Sequence, residues 1–152
     1  MLQFEGDKVF AQAPSELWAK LSDARFLVQC IPDVESVRDA QADQATLVLR
    51  PGFSFVRGTL EVSLRVVDTV EPKSARVVLH SKGIGSSSDV EAALDLAPLG
   101  EGTRVHWIAE VKTLGGLLKM VPPGLIRGAA QKVVGAAWVA VEARLNSPPP
   151  AS

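Results

Sequence analysis

Few side chains in this sequence have the type and spacing of a catalytic centre. The chain contains two histidines, His80 and His106. Each alternates with apolar residues along a predicted strand, so its side chain is expected on the other face of that strand, toward solvent. Without a nearby acidic or cysteine cluster, two histidines make a poor zinc site. We therefore expect no metal centre and no catalysis by histidine.

Two further candidates have simpler structural explanations. Cys30 precedes Ile31–Pro32 and is expected to be a buried apolar thiol rather than a nucleophile. The segment Lys82–Ser88 (KGIGSSS) has the glycines of a phosphate-binding loop but lacks its Gly-Lys-Ser/Thr ending, and no strong helix follows. We interpret it as a bend or bulge at a strand junction. The sequence thus predicts no catalytic residues.

Composition is that of an ordinary globular domain. Apolar residues make up 47% of the chain and charged residues 22%, and the formal net charge is −1. No basic patch with interleaved aromatic residues predicts nucleic-acid binding. We see no signal peptide, and no apolar run approaches the roughly 18 residues of a membrane span. These features predict a cytoplasmic protein.

The elements that would position a site follow from the spacing of apolar residues. The last long helix is predicted over residues 125–145, with Ile126, Ala130, Val133 and Ala137 on its apolar face. A face of small residues packs closely on its partner or leaves space beneath the helix. Upstream, a strand over residues 3–11 precedes two short helices that end near residue 30. Alternating residues then predict strands over 34–39, 45–50, 56–70, 75–81, 90–96 and 103–112.

This order predicts an α+β domain over residues 1–146, in which a curved antiparallel sheet of seven strands wraps around the long C-terminal helix. A cavity is expected between the sheet and the helix. The remaining residues, 147–152 (SPPPAS), are predicted to form a disordered proline-rich tail.

Several motifs in this order resemble a known family. They are Phe4, Gly6, Phe10, Pro14, Trp18, Leu21 and Asp23, then Cys30–Ile31–Pro32, Pro51–Gly52, Arg57–Gly58–Thr59–Leu60–Glu61–Val62, Gly102–Thr103–Arg104, Gly115–Gly116–Leu117 and Leu125–Ile126–Arg127–Gly128. Together they resemble the carbon monoxide dehydrogenase CoxG family, small accessory proteins found with molybdenum hydroxylases. The resemblance implies the helix-grip (START/Bet v-like) fold.

The sequence departs from the family pattern at two places. Asp33 stands where the family usually has glycine after the Cys-Ile-Pro turn. Ala137 precedes Trp138 where the family often has bulky aromatic residues, so one aromatic side chain is truncated. The second departure predicts a larger or differently shaped cavity.

The fold implied by the resemblance brings three apolar regions to one cavity mouth: the short helices, the loop at residues 51–55 and the segment 113–124. The alternative for each residue of these regions is that it packs in the hydrophobic core and binds no ligand. The predicted ligand-binding residues are Phe26, Ile31, Phe53, Phe55, Leu60, Val62, Leu79, Trp107, Leu118, Met120, Ile126, Ala130, Val133 and Ala137.

The resemblance implies a non-enzymatic accessory or carrier protein that binds a lipid or quinone. It would help to mature a molybdenum hydroxylase, anchor it at the inner face of the cytoplasmic membrane, or pass its electrons to a bound quinone. Membrane contact would run through residues 113–124, with Lys112 and Lys119 near lipid head groups. Two alternatives stay open: a polyketide cyclase-like or hydrolase-like enzyme, and an interaction module without a ligand.

Overall fold

The computed structural model describes residues 2–50 and 58–146. Its first half contains β1 (Leu2–Phe10), α1 (Pro14–Leu21), α2 (Ala24–Leu27), a first 3-10 helix (Val28–Cys30), β2 (Val34–Ala40) and β3 (Gln44–Leu49). Its second half contains β4 (Leu60–Val70), β5 (Ser74–Gly83), β6 (Ser86–Leu99), β7 (Gly102–Gly116), a second 3-10 helix (Leu117–Met120) and α3 (Pro123–Asn146).

The seven strands form one antiparallel sheet in the order β1-β7-β6-β5-β4-β3-β2. From β2 to β7, each strand pairs with the next strand in sequence, and β1 completes the sheet by pairing along β7, with Gly6 opposite Trp107. The prediction of an α+β fold with a seven-stranded antiparallel sheet and a long C-terminal helix is confirmed.

The structure refines two details around β6 and β7. The strand predicted over residues 103–112 extends farther, and β7 ends where Gly116 takes a φ of 61°. A side chain at Gly116 would collide with the Gly85 carbonyl oxygen, so only glycine fits this close approach. Of the two alternatives for the KGIGSSS segment, the structure agrees with a bend, because a tight turn at Ile84–Gly85 joins β5 to β6. The bulge lies farther along, between the Asp89–Thr113 and Val90–Val111 pairs.

The solid part of the core lies at the end of the sheet covered by α1. Leu17 and Leu21 of α1 are 0% and 2% exposed, and they belong to the same cluster as Val66 of β4 and Leu96 of β6. The Trp18 indole N–H also donates to the Ser74 carbonyl oxygen at 2.9 Å, which fixes α1 to β5. Helix α1 does not cover the opposite end of the inner face of the sheet.

Helix α3 is attached mainly through its C-terminal half. Trp138 and Val141 are buried, and Arg144 donates to the backbone oxygen and side-chain oxygen of Gln29. Among residues 123–137, by contrast, Ile126 alone is buried. The apolar face is therefore turned relative to the prediction. Val133 is 37% exposed, because the large Trp138 side chain takes the central position against the sheet.

Candidate functional site

A cavity of about 360 Å³ lies between the sheet and α3. Its walls come from the inner faces of β3 to β7, from the turn after the short helices and from α3. The lining residues are Leu21, Leu27, Cys30, Ile31, Pro32, Asp33, Leu49, Leu60, Val62, Leu64, Val77, Leu79, Ser81, Ser88, Val90, Ala92, Leu94, Trp107, Ala109, Val133, Val134, Ala137, Trp138 and Val141.

Three alanines account for much of the space. Ala92 of β6 and Ala109 of β7 are directly paired across the sheet, and both line the cavity. Ala137 of α3 lines it from the helix side. Since interiors are normally filled to the density of organic crystals, small side chains on facing elements leave a void unless the elements move together. The C-terminal attachments of α3 hold it in place, so the space remains.

The cavity reaches solvent at the end of the sheet away from α1. The inward residues of β4 are buried at Val66, Leu64 and Val62, and become half-exposed at Leu60. At the same end Ser81 and Ser88 are half-exposed, and their hydroxyl oxygens lie 2.5 Å apart in a hydrogen bond. Among the described lining residues, these hydroxyls and the carboxylate of Asp33 are the polar groups near the mouth.

Asp33 lies at the rim of the cavity, where the sequence departs from the family pattern. Its φ is 64°, the left-handed conformation that glycine adopts freely and that aspartate tolerates better than most residues. The turn that follows Pro32 therefore keeps the conformation suited to glycine, with an exposed carboxylate added at the rim.

Ionisable groups are sparse in the cavity wall. Among the described lining residues, Cys30 and Asp33 are the ionisable ones. Burial raises the pKa of the Cys30 thiol to about 11, so this group is neutral near pH 7. Asp33 is exposed at the rim rather than directed against a second acid or base. The described wall therefore offers no pair of groups for acid–base chemistry.

Cys30 provides a test of this burial. At pH 8 we expect iodoacetamide to modify the native thiol at least about a hundredfold more slowly than the thiol of the urea-unfolded chain. The pKa of the thiol rises from 9.0 to about 11, and each unit lowers the thiolate fraction about tenfold. A mass-spectrometric time course measures both rates. Equal rates would mean that Cys30 is an accessible, reactive thiol.

Both histidines lie on the outer face of the sheet, away from the cavity. His80 Nδ1 is 2.6 Å from Asp89 Oδ1, and His106 Nδ1 is 3.1 Å from Asp7 Oδ1. The Thr113 hydroxyl also donates to Asp89; this bond and the contact with His80 lower the pKa of that carboxyl. Within the described ranges, no group of three or more metal-binding side chains could hold an ion. These contacts link neighbouring strands on the outer face of the sheet, away from the cavity.

The structure brings together half of the predicted ligand-binding residues. Seven of them line the cavity: Ile31, Leu60, Val62, Leu79, Trp107, Val133 and Ala137. Phe53 and Phe55 lie outside the described residues, as do Pro51–Gly52 and the tail at 147–152. A role in ligand binding stays a prediction for the seven lining residues and for Phe53 and Phe55.

Five predicted residues lie away from the cavity wall. Phe26 packs against the core with the Lys20 ammonium 5.9 Å from its ring centre. Leu118 and Met120 belong to the second 3-10 helix, beyond the end of β7, and Met120 is 81% exposed. Ile126 and Ala130 precede the part of α3 that covers the cavity.

The sequence contained a signal for residues that the prediction omitted. Ala92 and Ala109 follow the inward alternation of their strands, and each is small at a position where neighbouring inward residues are large. Trp138 also lines the cavity and stacks near Trp107, with ring centres 6.0 Å apart. The wall at this point consists of two indole rings.

Comparison with known structures supports the fold over nearly the whole chain. A conserved protein from Geobacillus kaustophilus has a TM-score of 0.82 at 21% identity, covering 95% of each chain. A START superfamily protein from Mycobacterium smegmatis has a TM-score of 0.61 at 15% identity, covering 93% of this chain and 95% of its own. The AHSA1 protein from Silicibacter pomeroyi has a TM-score of 0.65 at 16% identity, covering 95% of this chain and 97% of its own. No curated protein matches the sequence.

Sequence comparison identifies the family. The sequence model of the G subunit of carbon monoxide dehydrogenase (CoxG) matches residues 6–146, from the middle of β1 to the end of α3. None of the helices in residues 2–50 and 58–146 is both long enough and apolar enough to cross a membrane. Because the match covers nearly all of the described fold and its cavity, the chain belongs to the carbon monoxide dehydrogenase CoxG family.

Proposed function

We propose that this protein is a non-enzymatic carrier that binds an uncharged apolar ligand between the sheet and α3. The observation that carries the proposal is the apolar cavity of about 360 Å³, which falls in the size range of small-molecule sites. Family membership supports an accessory role. The ligand class includes lipids and quinones, as the resemblance implies.

Binding would be driven by removing apolar surface from water. A ligand that buries about 250 Å² of apolar surface gains roughly 6 kcal/mol at 25 cal/mol per Å², before the costs of association are subtracted. The Ser81–Ser88 pair at the mouth would orient one polar group of the ligand. A charged ligand fits poorly, because an unpaired charge in an apolar space carries a large desolvation cost.

The enzyme alternative has less support. A cyclase-like or hydrolase-like site requires convergent ionisable groups, and the described wall offers a neutral buried thiol and a carboxylate at the rim. The histidines lie on the opposite face of the sheet. The described lining therefore favours binding over catalysis.

Contact with a membrane is part of the same proposal. An apolar tip, defined here as Ile84, Leu117, Met120 and Leu125, has exposed fractions between 39% and 81%. The Leu117 amide donates to the Gly85 carbonyl oxygen at 3.0 Å, so the 3-10 helix and the β5–β6 turn share one surface. This surface adjoins the mouth near Ser81 and Ser88. It would enter the bilayer interface and receive a lipid-soluble ligand there.

The partner enzyme is proposed to be a molybdenum hydroxylase of the carbon monoxide dehydrogenase type, as the family description indicates. Native mass spectrometry of the affinity-tagged chain, isolated gently from its own cells, tests ligand and partner together. We expect a bound apolar molecule in one fraction and a molybdenum-containing protein in another. A chain free of both, which also fails to take up added lipids and quinones, would contradict the carrier proposal.

A further inference from the structure

A second pocket, of about 300 Å³, lies beside the main cavity and opens between β1 and α3. Phe4 and Lys8 of β1 form one side, and Gln131 of α3 forms part of the other. Lys8 Nζ lies 3.6 Å from Glu142 Oε1, so its charge is already paired. This side pocket is more polar than the main cavity but presents no unopposed positive charge from Lys8.

Three residues separate the side pocket from the main cavity. Trp107, Val134 and Trp138 border both spaces, so the wall between them is one layer of side chains thick. The two indole rings are inclined by 42° with their centres 6.0 Å apart. A ligand that fills the main cavity would therefore contact this partition directly.

The indole N–H of Trp107 has no hydrogen-bond partner in residues 2–50 and 58–146. Nε1 is buried, and no acceptor among the described residues lies within hydrogen-bonding distance. A buried donor without an acceptor is costly, and most such groups in native proteins are paired. By contrast, the indole N–H of Trp18 donates to the backbone of Ser74.

The position of the Trp107 ring depends on Gly6. A methyl group added at Gly6 would lie 3.1 Å from the ring, so the absence of a side chain there lets the indole rest on β1. The ring thus has support from Gly6 on one side and from Trp138 on another. Nε1 is one of the ring atoms nearest to Gly6, 3.2 Å from the position of the added methyl group, so this donor lies against β1.

We propose that Trp107 is a specificity-determining residue whose indole N–H donates to an oxygen acceptor on the bound ligand. This inference rests on the proposed carrier function and narrows its ligand to an uncharged apolar molecule that bears a carbonyl group. Because Nε1 lies against Gly6, the ring would turn away from β1 to bring this nitrogen to the ligand oxygen. The acceptor then satisfies a donor that the described part of the chain leaves unpaired, whereas a hydrocarbon offers it no acceptor.

Charge distribution favours a carbonyl over a carboxylate. Asp33 lies at the rim of the main cavity, and no positively charged side chain is among the described residues that line this cavity. A neutral indole N–H does not compensate the desolvation of an ionised group, but it matches a carbonyl oxygen well. An anionic ligand would meet the Asp33 carboxylate at the rim of the main cavity.

The test compares two probes of equal chain length, 2-undecanone and n-undecane, by displacement of a fluorescent apolar reporter such as diphenylhexatriene. In the Trp107→Phe variant, which keeps an aromatic ring but lacks the N–H, the preference for the ketone is expected to fall roughly tenfold. The preference is the affinity for 2-undecanone divided by the affinity for n-undecane. Dividing the preference of the variant by that of the wild-type protein cancels the difference in hydration between the two probes. Trp18→Phe is the matched control, and its preference is expected to equal that of the wild-type protein.

An unchanged ketone preference in Trp107→Phe would overturn the inference while leaving the carrier function intact. If neither probe displaces the reporter from the wild-type protein, the carrier function itself fails and the inference fails with it. A second measurement covers the case in which the variant does not fold. In wild-type protein with ¹⁵N-labelled tryptophan, 2-undecanone is expected to shift one indole N–H resonance downfield, and n-undecane is not; equal spectra with the two probes would also overturn the inference.

Discussion

Replacing Ala137 with phenylalanine is expected to lower the affinity for an apolar ligand at least tenfold, or about 1.4 kcal/mol. Ala137 lines the cavity on the helix side, opposite a sheet surface kept open by Ala92 and Ala109. The added ring would occupy the space that a ligand requires. Titration with a fluorescent apolar probe measures the affinity of each variant.

The same substitution should leave the fold intact. A ring that enters an existing void gains contacts, so we expect the free energy of unfolding to stay within about 1 kcal/mol of the wild-type value or to rise. Urea unfolding provides this value. Val139→Phe is the matched control, because Val139 lies on the same helix and is 66% exposed. Wild-type affinity in Ala137→Phe, or an equal loss in Val139→Phe, would refute a binding site beneath α3.

Introducing aspartate at both Leu117 and Met120 is expected to reduce binding to anionic lipid vesicles at least tenfold. These side chains are 56% and 81% exposed, so the change costs little folding stability but removes much of the apolar tip. Two new carboxylates would also be repelled by anionic head groups. Co-sedimentation with vesicles measures the bound fraction.

The control for the tip is a pair of substitutions at the other end of the sheet. Val70 and Leu99 are 54% and 49% exposed, and they lie beside the β4–β5 and β6–β7 turns. Val70→Asp with Leu99→Asp is expected to bind vesicles as the wild-type protein does. If both pairs lost binding equally, the effect would be one of net charge rather than of the tip. Unchanged binding after substitution of Leu117 and Met120 would exclude the tip as a membrane contact.

The two experiments separate two steps of the proposed function. The Leu117 and Met120 pair should slow transfer of a ligand from vesicles while leaving the affinity for a dissolved ligand unchanged, because neither residue lines the cavity. Ala137→Phe should impair both transfer and affinity. A carrier that met its ligand only in solution would show no such difference.

The secondary structure could be predicted because its causes are local. Pro14 occupies the first turn of α1, and Pro32 follows the end of the short helices, as the missing N–H and the fixed backbone angle of proline require. Apolar alternation in β4 placed Leu60, Val62, Leu64 and Val66 on one face because side chains alternate along every strand. Successive strands with short turns then have few arrangements other than an antiparallel sheet.

The cavity wall could not be predicted to the same extent, because its limits depend on what covers each inward residue. Val66 and Leu60 belong to the same row of β4, yet Val66 lies in the solid core and Leu60 lies at the mouth. The difference is the reach of α1, which covers one end of the sheet. No periodicity in the sequence encodes that reach.

By itself, the sequence determined the α+β class, the order of the strands, the position of the long helix and the small side chains that leave a space beneath it. The tertiary structure alone decided how α3 is turned, with Trp138 buried and Val133 partly exposed at the cavity wall, and which inward residues border the space. It also decided that the Trp107 donor has no acceptor among the residues that the structure describes. The physical reason is that rotation, cover and hydrogen bonding are set by contacts between distant elements, whereas strand and helix periods are set by neighbours along the chain.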